Sequence, residues 1–221
     1  MKNITNQSRY LTLPLLPSKR GYFTNYLRRN LEVLEHAFRT YSKVFAFRVD
    51  LRLPDDFNYY DTNLITRFFA SLKAMLNADY ANKKRNSTSY VHPSELIYVW
   101  TRELGHSGKP HYHVCILLNG HAYRSLGVFQ EGRENLYNKI ISAWQSALFT
   151  HFYHNPFCFK PTLVSFPPNS EYFIERNKQG FDTKYRTLFK RLSYFAKIES
   201  KPTGLGVRNY GTSRIPLTVT V

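Results

Sequence analysis

Two apolar runs, Leu96–Glu103 and His111–Asn119, are joined by a loop, Leu104–Pro110, that carries two glycines and a proline. Runs of this length rich in β-branched and aromatic residues, split by a turn-forming segment, predict a β-hairpin. A strand fixes the direction of its side chains, because successive residues point to opposite faces. His111 and His113 therefore share one face and Tyr112 takes the other. If the hairpin is antiparallel with Glu103 opposite His111, all three side chains converge on one patch. Two imidazoles and a carboxylate are a workable divalent-metal set that leaves coordination positions open. The histidine pair alone is a weak signal: eight histidines among 221 residues give about 0.3 His-x-His pairs by chance.

The rest of the chain reads as strands and helices around that hairpin. Residues 1–20 form a polar, Pro-containing lead-in. Phe23, Leu27, Leu31, Leu34, Phe38 and Tyr41 follow helical spacing, and Val44–Leu53 reads as a strand ended by Pro54. A second helix fits Thr62 to about Tyr80, capped by Asp61 or Thr62, with Lys83–Ser89 as an exposed basic loop. Further helices are expected over Glu134–Leu148 and Asp182–Glu199, with a short strand over Thr162–Phe166 stopped by Pro167 and Pro168. The tail from Lys201 is basic and contains glycine. This order suits an α+β fold, a central antiparallel sheet of about five strands flanked by helices.

Composition narrows the partners. Hydrophobic residues make up 43% of the chain, enough for a packed fold, and the net charge is +16. Such a surplus speaks to partners rather than to fold. A membrane-surface protein would gather its cations on one face of an amphipathic helix. Here they recur along the whole chain, among 17 Tyr and 17 Phe, as suits a groove that neutralises phosphates and stacks bases. Lys83, Lys84, Arg85, Lys190, Arg191, Arg208 and Arg214 are the candidate nucleic-acid contacts. Neither a signal peptide nor a membrane span is legible, and two cysteines, Cys115 and Cys158, suggest no disulfide framework. A cytoplasmic protein without a membrane partner is expected. Of the other histidines, only His151 and His154 have the spacing of a second metal pair.

Tyr194 and Lys197 stand three apart in the last expected helix. On a helical wheel Tyr194 falls nearly opposite the apolar stripe of Leu188, Phe189, Leu192 and Phe195, beside Lys190 and Lys197. A phenol with a pKa near 10 is a poor nucleophile unless a cation or metal stabilises the phenolate. Lys197 carries such a charge.

Motif for motif, the chain resembles the HUH endonucleases, whose signature is a His-hydrophobic-His strand with a polar ligand upstream and a helix bearing Tyr-x-x-Lys. It is more closely similar to the YagK/YfjJ-type inovirus replication proteins of bacteria and their prophages, over roughly residues 35–215. GKPHYHVCILLNGHAY (Gly108–Tyr123), the helix containing Trp144, and RLSYFAKIESKPTGLGVRNYGTSR (Arg191–Arg214) carry that similarity. The resemblance implies one nickase domain over residues 36–215, after a lead-in and helix start (1–35) and before a tail (216–221). It implies Tyr194 as the single nucleophile, Lys197 as accessory cation, His111 and His113 as ligands of Mg²⁺ or Mn²⁺, and Glu103 as the third ligand. The implied activity is site-specific nicking of single-stranded or extruded DNA in a bacterial host, with a 5′-phosphotyrosine intermediate that initiates rolling-circle replication of a phage or mobile element. The same chemistry could act against a competing phage genome. A non-catalytic DNA-binding regulator would share the fold, and an iron oxygenase would share the two-His-one-carboxylate set but not the use of Tyr194 or the charge.

Overall fold

The computed structural model describes residues 3–54, 63–105, 108–149, 160–199, 201–202 and 206–216. Four short strands open the chain: β1 (Ile4–Thr5), β2 (Arg9–Tyr10), β3 (Leu13–Pro14) and β4 (Tyr22–Phe23), with β1 pairing β4 and β2 pairing β3. Helix α1 (Thr24–Thr40) follows, burying Leu27, Val33, Leu34, Ala37 and Phe38 along one stripe. Strand β5 (Lys43–Arg52), helix α2 (Leu64–Asn86) and the hairpin of β6 (Ile97–Leu104) and β7 (Pro110–Asn119) come next. Helix α3 (Leu136–Leu148), strands β8 (Val164–Ser165) and β9 (Glu171–Glu175), helix α4 (Phe181–Ser193) and strand β10 (Tyr210–Thr212) complete the described chain.

An antiparallel sheet of six strands forms the centre, in the order β10-β6-β7-β5-β8, with β9 also pairing β5. Strands β8 and β9 take successive stretches of the same edge of β5: β8 lies along Asp50–Leu51 and β9 along Lys43–Phe47. Pro167 and Pro168 lie between them, and proline cannot donate to a ladder. Strand alternation then sorts the core. Phe45, Phe47, Val49, Leu51, Trp100, Tyr112, Val114 and Ile116 meet α2 and α3 on one face. Val44, Ala46, Ile97, Val99, Cys115 and Leu117 meet α1 and α4 on the other. The fold is therefore an α+β domain, a multi-stranded antiparallel sheet flanked by helices on both faces.

The hairpin forms in the expected register, with Glu103 opposite His111 and Thr101 opposite His113. Tyr112 is buried on the far face against Trp100 and Trp144, and Trp144 Nε1 donates to the Arg52 carbonyl at 2.9 Å. Cys115 is a buried core thiol, pushed up to about 12 by burial. Several elements differ from expectation. Lys83–Arg85 are not a loop but the last turn of α2, where cations meet the negative end of the helix dipole and Lys83 pairs with Asp79 at 2.8 Å. Helix α4 stops at Ser193, and Tyr194–Ala196 continue as one 3₁₀ turn. Strands β9 and β10 have too few residues to show alternation, and edge pairing alone makes them strands. The capping expectation at Asp61 and Thr62 falls outside the described residues, as do His151, His154 and Cys158.

Candidate active site

The sheet face that meets α1 and α4 turns polar at one end. Arg48 and Asp50 on β5, His111 and His113 on β7, and Thr101 and Glu103 on β6 share the side-chain parity of that face. Asp50 pairs with His113 across β5 and β7, so a carboxylate lies beside the inner histidine.

Glu103, His111 and His113 each offer a ligand atom within 4.8 Å of the others. His111 Nε2 lies 3.0 Å from His113 Nε2, which lies 3.3 Å from Glu103 Oε2. The outer nitrogens are engaged elsewhere. His111 is hydrogen-bonded to the Lys109 backbone, and His113 Nδ1 lies 2.7 Å from Asp50 Oδ1. A carboxylate can only accept, so His113 donates through Nδ1 and turns the Nε2 lone pair inward. Arg48 holds Asp50 through Nε at 2.9 Å, and its Nη2 also lies 2.8 Å from His113 Nδ1. Two inward imidazole nitrogens and one carboxylate oxygen, with the second histidine oriented by a carboxylate, fit a divalent cation.

Charge is distributed unevenly over the pair. For His113, burial opposes the proton, but hydrogen bonds with Asp50 and Glu103 prevail and raise its pKa above the usual imidazole value. For His111, burial and the neighbouring His113 lower it. Burial acts to raise Asp50, yet His113 and Arg48 hold it below the usual carboxylate range.

Tyr194 enters this cluster from the end of α4. Its hydroxyl donates to Glu103 Oε2 at 3.0 Å, and its ring stands edge-on to His113 with centroids 5.2 Å apart. The Arg48 guanidinium lies 4.7 Å and Lys197 Nζ 5.3 Å from the ring centroid. Burial, followed by the negative charge of Glu103, raises the phenol pKa well above its ordinary value. The α-helical wheel put Tyr194 on a solvated face; with the helix ending at Ser193, the residue is half-buried and faces the sheet.

The lead-in fixes that turn. Leu16 N donates to Ser193 Oγ at 3.0 Å, and Ile198 N donates to the Gly21 carbonyl at 3.1 Å. Tyr22 bridges Lys197 as a single antiparallel pair, and Ser18 Oγ donates to Glu199 at 2.6 Å. Ser193 Oγ meanwhile donates back to the Lys190 carbonyl at 2.7 Å, a local bond that competes with helix propagation. Lys197 leaves the helical region altogether, with φ −60° and ψ 147°.

The remaining predicted residues scatter. Arg191 is tied to the Tyr172 hydroxyl and to the Pro168 and Asn169 carbonyls, while Lys190 is exposed. Lys84 and Arg85 are exposed on α2, and Lys83 lies over the Tyr123 ring. Arg208 and Arg214 are exposed on either side of β10. His92 stacks on His121, and His36 reaches Glu95 at 3.7 Å.

Three residues of the site escape the motif reading. Arg48 and Asp50 left a signal, as charged residues of one parity interrupting the apolar run Val44–Leu53. Lys201 left none. Its ammonium lies 3.3 Å from Glu103 Oε1, both side chains are 2% exposed, and burial pulls its pKa down to about 8 against the opposing charge of Glu103.

Among the described residues, no helix is long and apolar enough to cross a membrane. The sequence model of the YagK/YfjJ C-terminal domain matches residues 5–213. The uncharacterized protein YagK of Escherichia coli (strain K12) is 37% identical over 186 residues, covering 80% of this chain and 86% of that protein. The uncharacterized protein YfjJ of the same strain is 32% identical over 199 residues, covering 86% of this chain and 93% of that protein. No solved structure matches the chain. A match across nearly the whole sequence, motif strand and tyrosine turn included, makes this chain a member of the YagK/YfjJ C-terminal domain family.

Proposed function

We propose that the chain is a metal-dependent, site-specific single-strand DNA endonuclease of the HUH type, which forms a 5′-phosphotyrosine link and initiates rolling-circle replication of a phage or mobile element in the bacterial cytoplasm. One observation carries the reading: the Tyr194 hydroxyl lies 3.0 Å from Glu103, itself one of three clustered metal-type ligands. A nucleophile and a metal set in one site are the parts a nick-and-rejoin reaction requires.

Glu103, His111 and His113 would hold Mg²⁺ or Mn²⁺, which when bound supplies Lewis-acid polarisation of the scissile phosphate. Tyr194 attacks phosphorus, the phenol oxygen–phosphorus bond forms, and the bond from phosphorus to the 3′ oxygen breaks. The phenol proton has Glu103 Oε2 as its nearest acceptor, and the departing 3′ oxygen takes a proton to become a free hydroxyl. Arg48 and Lys197, close to the ring, favour the phenolate over the phenol. The link conserves the phosphodiester energy, so attack by the 3′-hydroxyl reseals the strand. Arg208, Arg214, Lys190, Arg191 and Lys83–Arg85 are the proposed backbone contacts.

Incubation with Mn²⁺ and single-stranded DNA should give an SDS-resistant adduct that maps to Tyr194. Tyr194→Phe should abolish both adduct and nick while leaving binding intact. Normal cleavage by that variant overturns the tyrosine mechanism; binding without cleavage by the native chain favours a DNA-binding regulator.

A further inference from the structure

The sheet face away from Tyr194 carries a groove in which two of those cations, Arg208 and Arg214, meet aromatic walls that the metal and tyrosine chemistry does not use. It lies between α2 and the β6–β10 edge and encloses 1020 Å³. Strand parity explains its separation from the candidate active site: Tyr98 and Trp100 point into the groove, whereas Thr101 and Glu103 point to the tyrosine. The two are nonetheless close along the chain. Trp100 and Glu103 are three residues apart on β6, roughly 10 Å by strand rise.

The groove combines aromatic faces with uncompensated charge. Tyr90 is 76% exposed at its rim, Tyr80 and Tyr98 are half-buried in its wall, and Tyr98 stacks on Phe69 with centroids 3.5 Å apart. Its cations are Lys73, Arg208 and Arg214, and Glu95 is the one carboxylate among its described lining residues. The side chains of Lys73 and Arg214 make no hydrogen bond or ion pair among the described residues. Arg208 is held in place, donating through Nε to the Tyr210 carbonyl at 2.9 Å with its guanidinium 5.4 Å from the Trp100 ring. Gly211 permits that arrangement: a Cβ there would meet Arg208 Nη2 at 2.5 Å and Trp100 Nε1 at 2.6 Å.

An apolar small molecule would have no use for three cations, and a bare phosphate none for the tyrosines. Single-stranded nucleic acid satisfies both, pairing phosphates with the cations and laying unpaired bases on the rings. We propose that this groove binds the single-stranded DNA flanking the scissile site, the strand passing the short edge strand β10 to reach Tyr194. The proposal rests on the nickase reading for its choice of DNA.

The test is fluorescence anisotropy with a labelled single strand and the Tyr194→Phe protein, which binds without turnover. Tyr90→Ala, at an exposed position, should weaken binding roughly 5- to 150-fold, the range of one lost base stack. Arg214→Ala and Lys73→Ala should each reduce the slope of log affinity against log salt by about 0.7. Lys178→Ala, an exposed cation outside the groove, should change neither. Unchanged binding by the groove variants, an equal loss in Lys178→Ala, or tighter binding of duplex than of single strand overturns the proposal. The two readings fail separately. If the native protein forms the Tyr194 adduct while the groove variants bind normally, only the groove is wrong. If the groove variants lose binding and no adduct forms under any metal, the groove stands and the nickase reading falls.

Discussion

Tyr194 and Glu103, separated by 91 residues in sequence, share a hydrogen bond of 3.0 Å in which the phenol donates to the carboxylate. The same carboxylate receives Lys201 on its other oxygen at 3.3 Å and lies 3.3 Å from His113. Glu103 thus joins the tyrosine turn to the histidine strand, and its negative charge is what the resting phenol senses.

Replacing that charge should be visible directly. Burial and Glu103 both raise the Tyr194 pKa, so Glu103→Gln removes the second cause and leaves the first. Ultraviolet difference titration should show the Tyr194 midpoint moving down toward 10 in the variant. A midpoint that does not move would mean that burial alone sets it.

Metal affinity should depend on the three ligands and on the carboxylate that orients His113. His111→Ala or His113→Ala removes one of three ligands and should abolish measurable Mn²⁺ binding in calorimetry. Asp50→Asn leaves all three ligands but loses the carboxylate beside His113 Nδ1, and should weaken Mn²⁺ binding about 10- to 100-fold. Two imidazoles favour Mn²⁺ over Mg²⁺, which prefers oxygen ligands. Equal Mn²⁺ binding by the native protein and Asp50→Asn would remove Asp50 from the site.

The pH dependence has a fixed sign. A ligand nitrogen must be deprotonated to bind metal, and the His113 pKa is raised above 6.5. Affinity should therefore begin to fall while pH is still above 6.5, as His113 takes up its proton. Asp50→Asn removes a cause of the raised value and should move that fall to lower pH. Nuclear magnetic resonance titration of the His113 ring in the metal-free protein gives the same midpoint independently.

One buried polar residue holds the tyrosine turn to the rest of the fold. Asn30, fully buried on α1, donates to the Leu192 carbonyl at 2.9 Å and accepts from the Tyr210 hydroxyl at 2.8 Å. Asn30→Ala removes both bonds and leaves the Tyr210 hydroxyl its longer bond to the Tyr26 carbonyl at 3.3 Å, for a loss of about 1–3 kcal/mol in urea unfolding. A loss under about 0.5 kcal/mol would show that water replaces the side chain.

Much of the frame can be read from local pattern. The stripe of α1 and the alternation of β5, β6 and β7 are properties of consecutive residues, so periodicity reports them. Edge strands β9 and β10 are different. They contain five and three residues, and nothing in YGT says strand until Trp100 and Thr101 stand beside it. The end of α4 is hidden from local pattern for a related reason. Its sequence supports helix to Glu199, but bonds from Leu16, Ser18 and Gly21 capture the last turns.

Strand alternation alone puts His111 and His113 on one face, and the hairpin register of the structure adds Glu103 opposite His111. What surrounds them is set by long-range pairing. Asp50 reaches His113 across 63 residues, Tyr194 reaches Glu103 across 91, and Lys201 reaches it across 98. Contacts at such separations are set by how the sheet orders its strands and where the lead-in clamps α4, and no period in the sequence encodes them.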